Sequence, residues 1–105
     1  MRHPEDYVEA VLSLVEQVPP GRATTYGEIA AVVGRFGPRR VGAVMAEHGG
    51  AVPWWRVVRA DGTLPPDLAA RAREHHREEG TPCRASGAVD LRAARADLDP
   101  ARRGK

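Results

Sequence analysis

The chain is poor in several residue types, and each shortage excludes something. Cys83 is the only cysteine, so no internal disulfide can form and a reducing compartment fits the composition best. No apolar run is long enough to cross a bilayer, and the first residues, MRHPEDY, lack the apolar segment of a secretion signal. We therefore expect a cytoplasmic protein with no membrane partner. At 105 residues, it has room for one domain with a modest core.

Net positive charge is also small, because 14 acidic residues nearly balance the 16 lysines and arginines and leave a formal net charge of +2. The protein is therefore not a polycation that would bind nucleic acid through bulk charge. Lysine is almost absent, with Lys105 as the single example, so nearly all basic residues are arginines. A planar guanidinium can pair with phosphate or stack on a base, so arginines matter where they gather. The sequence predicts one local basic surface, made by Arg35, Arg39, Arg40, Arg56 and Arg59.

Helical spacing and stop signals predict the first half of the fold. Apolar residues recur at helical intervals between Glu5 and Val18, and Pro19-Pro20-Gly21 ends that helix. Thr25 followed by Glu28 forms a capping box, which starts a second helix that stops at Gly34.

A third predicted helix begins at Pro38 and ends before Gly49-Gly50. The turn RFG separates it from the second helix. Two short helices joined by a glycine-containing turn are typical of a helix-turn-helix, although any compact helical domain can produce the same pattern.

The second half is predicted to contain less regular structure. A short strand over 56–59 leads into a turn at Asp61-Gly62, and Asp67 caps a fourth helix that ends at Gly80. Residues 81–91 could form a small hairpin, and the charged tail at 92–105 is expected to fray. The fold class is thus mainly α: a single winged helix-turn-helix-like domain with a small β-hairpin and a core over 5–91.

No catalytic or metal-binding cluster is evident. His75 and His76 are adjacent, so on a helix they project about 100° apart and cannot form a paired ligand face; we predict a solvated surface there. Cys83 has no evident base beside it, so a structural or incidental thiol is favoured over a nucleophile.

The stretch VPWWRVV holds both tryptophans of the chain, at 54 and 55. Successive residues of an extended segment point to opposite sides, so one indole could enter the core while the other faces a cleft. The residues alone leave open whether both lie in the core.

Three motifs in order carry a resemblance to a known family: TTYGEIA, PRRVGAVM and VPWWRVVRADG. Together they resemble the DNA-binding domain of the O6-alkylguanine-DNA alkyltransferases, over about residues 5–91. The Pro-Cys-His-Arg-Val signature of those enzymes, whose cysteine accepts the alkyl group, reads here Pro-Trp-Trp-Arg-Val at 53–57. A tryptophan at the acceptor position is the hallmark of the alkyltransferase-like proteins, which bind alkylated guanine without repairing it.

The resemblance implies a non-enzymatic sensor that flips O6-alkylguanine out of duplex DNA into a pocket walled by Trp54. Tyr26 matches the tyrosine that presses the phosphate of the target nucleotide, and Arg39 matches the arginine finger that fills the space left by the base. Gly42 matches the small residues that allow close approach to the minor groove. The other predicted DNA contacts are Thr25, Arg40 and Arg56.

The same resemblance implies a monomer without a cofactor, whose protein partner is the damage-recognition factor of nucleotide excision repair. The chain departs from the family in three places. The hinge asparagine that precedes the active-site loop of the alkyltransferases has no clear match here, with His48 only nearby. Trp55 replaces the histidine that usually follows the acceptor position. Pro65, Pro66 and Asp67 stand where some relatives carry a basic residue able to probe the base.

Two alternatives remain open at this stage. The first is an alkyltransferase that uses Cys83, although this residue lies far along the chain from the PWWRV loop. The second is a winged-helix regulator that reads the major groove, although Gly42, Ala43 and Ala46 of the third helix are too small and apolar to read base edges. Neither alternative explains Trp54.

Overall fold

The computed structural model describes residues 4–98. The first helix, α1, spans Pro4–Gln17, within one residue of the predicted bounds. Its apolar stripe faces the interior, where Val11, Leu14 and Val15 are fully buried. No helix within 4–98 combines the length and the apolar content that a membrane span needs.

Helices α2 (Tyr26–Val33) and α3 (Pro38–His48) also lie where the sequence predicts them. Thr25 caps α2 by accepting a hydrogen bond from the Glu28 N–H at 3.0 Å. Gly34 ends the helix in the left-handed region, at φ 81°, where a residue without Cβ is unstrained. The mainly helical prediction is confirmed, and α1, α2 and α3 pack against one another.

The strand predicted over 56–59 is shorter in the structure, and its pairing partner was not predicted. Strand β2 covers only Val57–Val58, and its partner β1 is Thr24–Thr25. The two strands are parallel, with Thr24 opposite Val57 and Thr25 opposite Val58. The strand therefore does not belong to a hairpin; it ties the residues after the tryptophans to the start of α2.

Helix α4 spans Pro66–Glu79. The prediction that Asp67 caps it is wrong, because Pro65 holds the cap position and no side chain bonds to the free N–H groups there. Asp67 lies instead in the first helical turn, where a carboxylate still interacts favourably with the helix dipole. Gly80 ends α4 as expected, at φ 71°.

The last described residues are more ordered than predicted. The expected hairpin over 81–91 is reduced to one antiparallel bridge, between Cys83 and Val89. A short helix, α5 (Leu91–Ala94), then follows. The expectation of fraying from residue 92 is wrong as far as Ala96, because the Ala23 backbone bonds to Ala94 and Ala96 at 2.8 and 2.9 Å. The rest of the predicted tail, 99–105, lies outside the described residues.

The buried apolar residues form two clusters. The first, here called the α1–α3 cluster, joins the three N-terminal helices to the chain around β2. It consists of Tyr7, Val11, Leu14, Val15, Ile29, Ala30, Val41, Val44, Val52 and Val57. The second, called the α4 cluster, consists of Ala23, Val58, Leu64, Ala72, Val89, Leu91 and Ala94, with both tryptophans packed against it. The tryptophans therefore belong to the side of the molecule that α4 supports.

Candidate nucleic-acid interface

A pocket of about 330 Å³ opens between α3 and the start of α4. Tyr26, the first residue of α2, lies on its wall. Trp54 provides an indole, and Gly42 and Met45 provide the side formed by α3. The facing wall comes from the start of α4 and the residues before it, namely Leu64, Pro65, Asp67, Leu68 and Arg71. The structure thus brings together three of the predicted site residues, Tyr26, Gly42 and Trp54.

The two indoles are not arranged as the sequence suggested. Trp54–Arg56 forms one turn of 3₁₀ helix rather than an extended segment, so its side chains do not alternate between opposite faces. The rings instead contact each other edge to face, with centroids 5.6 Å apart and planes at 86°. Both are half-buried. The indoles differ in what else they contact, and that difference separates their roles.

Trp55 is tied into the protein on several sides. Its indole N–H donates to Glu79 Oε2 at 2.9 Å, and its ring stacks on His75 with centroids 3.6 Å apart. Its backbone carbonyl accepts from His76 Nε2 at 2.7 Å, which places the proton of a neutral imidazole on that nitrogen. The Trp54 indole has no such polar tie among the described residues; it lines the pocket, with the Arg71 guanidinium 5.5 Å from its ring centroid.

The prediction of a solvated histidine pair is therefore wrong. His76 is only 4% exposed, and His75 is half-buried against Trp55. Their surroundings, Arg and Glu on either side, suggested a polar face. Helical spacing carried the missed signal, because His76 lies four residues after buried Ala72 and thus on the same stripe of α4.

Arg56 serves the interior rather than the predicted basic surface. Its guanidinium pairs with Glu79 through two bonds, Nη2 to Oε2 at 2.6 Å and Nε to Oε1 at 3.1 Å. Its remaining nitrogen, Nη1, donates to the Val18 carbonyl at 2.8 Å. Both side chains of the ion pair are 13% exposed. These bonds engage the Arg56 donors inside the protein, so its geometry does not favour the predicted contact with DNA.

Glu79 is the residue that sequence reasoning missed. Besides Arg56 and Trp55, it accepts a hydrogen bond from the Gly21 backbone N–H at 3.1 Å. Burial raises the pKa of this carboxyl, but the bonds from Arg56, Gly21 and Trp55 together outweigh burial and hold the pKa below its usual range. Glu79 is thus an ionised hub behind the tryptophan turn. No local motif marks it, because its partners lie far away in sequence.

Tyr26 and Thr25 take different positions at the start of α2. Burial raises the pKa of the Tyr26 phenol, and the charge of Arg59 lowers it by less, so at neutral pH the hydroxyl remains a neutral donor. The parallel register places Arg59 directly after the residue opposite Thr25, beside Tyr26. Thr25 is itself 7% exposed, and its hydroxyl is engaged in capping α2. Its predicted contact with DNA is therefore not supported by its geometry.

The first turn of α3 carries two exposed positive charges. Arg39 and Arg40 are both exposed, and Gly42, one turn after Arg39, lines the pocket. A Cβ added at Gly42 would meet no atom of the protein within 4 Å. Packing within this chain therefore does not require a glycine at this position.

The described residues offer little for covalent or metal chemistry. Cys83 is exposed in the turn after α4, and partial burial of its thiol raises the pKa, which disfavours the nucleophilic thiolate. Within 4–98, no group of three or more His, Cys, Asp or Glu side chains could hold a metal ion.

Comparison with known proteins agrees with this geometry. Residues 6–81 match the family described as 6-O-methylguanine DNA methyltransferase, DNA binding domain. The chain belongs to this family. The matched range includes most of α1 and all of α2, α3, the tryptophan turn and α4, so it covers every wall of the pocket.

The chain is also similar to named proteins of other organisms. The chain is 35% identical to the "DNA base-flipping protein" of Escherichia coli over 101 residues, which is 90% of this chain and 78% of that protein. It is 32% identical over 63 residues to a protein of the same name from Vibrio parahaemolyticus, covering 57% of this chain and 63% of that protein.

Two solved structures share the fold. One is S. pombe Atl1 in complex with damaged DNA containing O6-carboxymethylguanine, at a TM-score of 0.77 and 29% identity. The other is an S. pombe ATL in complex with DNA, at a TM-score of 0.74 and 31% identity. Each covers 92% of this chain and 99% of the solved chain. The prediction of an alkyltransferase-like fold is confirmed.

Proposed function

We propose that this protein is a non-enzymatic sensor of O6-alkylguanine in duplex DNA. It flips the damaged base into the pocket between α3 and α4 and holds it there without transferring the alkyl group. The observation that carries the proposal is that Trp54, which the motif resemblance matches to the family's alkyl-acceptor position, lines a pocket of about 330 Å³.

The chemistry of the pocket fits binding better than repair. An indole offers an apolar face on which a purine and its alkyl group can rest, but it has no electron pair able to displace an alkyl group from oxygen. Cys83 does not replace the missing acceptor, because its thiol pKa is raised and it does not line this pocket. The pocket therefore recognises the lesion and leaves it unchanged.

Three residues around the pocket, Arg39, Tyr26 and Gly42, assist extrusion of the base. Unpairing and unstacking a base costs a few kcal/mol, which bound-state contacts must offset. Exposed Arg39 lies one helical turn before Gly42, on the same side of α3 as the pocket, so its side chain can fill the gap in the stack. Tyr26 donates its neutral hydroxyl to the phosphate of the target nucleotide. Gly42, whose hydrogen faces open space, lets the minor groove approach α3.

The test is a titration of matched duplexes, with and without one O6-methylguanine, followed by the mass of the recovered protein. The modified duplex should bind more tightly, and the protein mass should not change. An added methyl group on any residue would overturn the binding-only function. Equal affinity for the two duplexes would overturn lesion recognition.

Arg39→Ala and Arg40→Ala provide a matched pair for the same assay. Loss of the finger at Arg39 should weaken lesion binding by about 1–3 kcal/mol, as for a lost stacking contact, and reduce the preference for the lesion. Loss of Arg40 should weaken both duplexes alike. If the two variants behave identically on both duplexes, the finger has been assigned to the wrong arginine.

By the same resemblance, we propose that the bound, monomeric protein marks the lesion for nucleotide excision repair. Its partner is then the damage-recognition factor of that pathway. The purified factor should bind the complex of protein and modified duplex more tightly than the modified duplex alone. Equal binding of the factor to the complex and to the modified duplex alone would contradict this proposed partnership.

A further inference from the structure

Phe36, in the turn between α2 and α3, is unusual in two respects. Among the described residues it is the one large apolar side chain that is exposed, at 58%. Within the same range it is also the one non-glycine residue with positive φ, at 60°. A bulky side chain in the left-handed region is disfavoured, and an exposed ring gains little from burial. The fold of this chain alone therefore does not explain a phenylalanine here.

The contacts of the ring explain it better. The Arg40 guanidinium lies over Phe36, with Cζ 4.4 Å from the ring centroid, and Arg35 Cζ lies 5.9 Å from the same centroid. The ring of buried Tyr7 meets Phe36 edge to face, with centroids 5.1 Å apart. Arg35 also lies over Tyr7, at 5.6 Å. Two cations are thus held at fixed places on an aromatic base, which we call the Phe36 cluster (Tyr7, Arg35, Phe36 and Arg40).

We propose that the Phe36 cluster is part of the DNA interface around the lesion pocket, in which Phe36 holds the predicted DNA contact Arg40, together with Arg35, against the phosphate backbone of the duplex. Phe36 acts in it as a positioning residue for Arg40 and Arg35. The proposal rests on the proposed function, since it takes duplex DNA as the partner. It adds a contact that does not depend on damage.

The chemistry of the cluster favours phosphate over a base. A guanidinium that lies over a ring covers that face of the ring against a base, while the N–H groups at its own edge stay free to donate. Those N–H groups match phosphate oxygens, which can accept two parallel bonds from one arginine. The aromatic contact also lowers the entropy cost of fixing a long side chain before DNA arrives.

The position on α3 gives the two neighbouring arginines separate targets. Arg39 and Arg40 are adjacent, so they project about 100° apart around the helix. Arg39 is on the pocket side, whereas Arg40 turns back over Phe36. Both cations lie in the first helical turn, which the helix dipole disfavours, and a bound anion would remove that penalty. The Phe36 cluster therefore meets the backbone at the flank of the flipped nucleotide.

The experiment compares Phe36→Leu, Phe36→Tyr, Arg40→Ala and the double variant Phe36→Leu/Arg40→Ala with the unmodified protein. Each is titrated with undamaged and O6-methylguanine duplexes over a series of salt concentrations, after its melting temperature has been checked. Leucine and tyrosine both fill space against Tyr7, but only tyrosine keeps a ring face for Arg40.

Phe36→Leu should weaken both duplexes by the same factor, about two- to five-fold, which corresponds to an exposed cation–π contact. Phe36→Tyr should bind as the unmodified protein does. Arg40→Ala should lower the slope of log affinity against log salt by about 1. The double variant should lose less than the product of the two single losses, because Arg40→Ala already removes one of the two arginines that Phe36 positions.

Three results would overturn the proposal: unchanged affinity in Phe36→Leu, a loss confined to the modified duplex, or losses that multiply in the double variant. If Phe36→Leu melts early, Arg40→Ala and Arg40→Lys decide the question, since lysine keeps the charge without the planar group and should be weaker than arginine on both duplexes. Failure of the proposed function would look different: the unmodified protein would bind both duplexes equally, whatever the variants do.

Discussion

The two clusters of the molecule are held together by different kinds of contact. The α1–α3 cluster is a set of apolar side chains from three helices that follow one another in sequence. The α4 cluster is smaller, and beside it polar groups tie the tryptophan turn to α4: the ion pair of Arg56 and Glu79, and the bonds of Trp55 with Glu79 and His76. One half of the fold thus depends mainly on apolar packing, whereas the half around α4 combines apolar packing with an ion pair and hydrogen bonds.

The largest effect should come from Glu79→Ala. This change leaves the 13%-exposed Arg56 without its carboxylate and frees the Trp55 and Gly21 N–H groups, so unfolding should become easier by about 3–5 kcal/mol. Urea denaturation measures this directly. Glu78→Ala, one residue earlier and exposed, is the matched control and should change stability little. Similar losses in the two variants would mean that the polar ties do not stabilise this half.

Leu14→Ala tests the other half. Leu14 is fully buried in the α1–α3 cluster, so its truncation should cost about 3 kcal/mol through lost burial and a partly filled cavity. Because no titrating group contributes to that loss, it should be the same at neutral and at mildly acidic pH. A strongly pH-dependent loss would contradict the distinction between the two clusters.

Substitutions of the two tryptophans should have different effects, one mainly on stability and the other mainly on lesion preference. Trp55→Ala removes an indole N–H bond and a stacked ring, and should lower stability by about 2–3 kcal/mol. Trp54→Ala should cost about 1 kcal/mol, yet abolish the preference for the O6-methylguanine duplex. Thermal melting and paired duplex titrations give both values. If Trp55→Ala instead removes lesion preference in a stable protein while Trp54→Ala keeps it, the pocket wall has been placed on the wrong indole.

The smallest expected effect is a decrease in the free energy of unfolding at acidic pH. The folded protein holds the pKa of Glu79 below its usual range, so the stabilising contribution is complete above the ordinary glutamate pKa and is lost as the pH falls through the folded value. Stability measured from neutral to acid pH should decline, and less so in Glu79→Ala. Some decline should remain, because the bonds from Thr63 also lower the pKa of Asp61. An identical decline in Glu79→Ala would show that Glu79 does not contribute to the pH dependence of stability.

The sequence predicted the half of the fold around α1, α2 and α3 better than the rest. Helices α1, α2 and α3 were predicted to within about a residue, because their spacing, caps and glycine stops are local signals. The parallel pairing of β1 with β2 was not, since two short strands far apart in sequence carry no local mark of each other. The same holds for the bond between Ala23 and Ala96, which orders a segment that its composition suggested would fray.

The site was predicted in part, for similar reasons. Tyr26, Gly42 and Trp54 were placed through the family motifs, and the structure brings them to one pocket. The DNA contacts assigned to Thr25 and Arg56 conflict with their intramolecular bonds, which motif matching does not reveal. Glu79 and His76 were missed because their partners are a backbone carbonyl and side chains of another element. Contacts of that kind depend on the tertiary fold, and a residue pattern does not specify them.

The bonds of Ala23 with Ala94 and Ala96 also set an order of events during synthesis. Ala23 lies just before β1, and its backbone partners are among the last described residues to be made. The α1–α3 cluster needs little beyond the first 58 residues and can form early, because its contacts are largely local. The α4 cluster includes Leu91 and Ala94, so it closes only when nearly the whole chain has emerged from the ribosome. We therefore expect a nascent chain to form α3, with Arg39 and Arg40, before the α4 wall of the pocket is packed in place. The pocket can then hold a base only after the last step of folding.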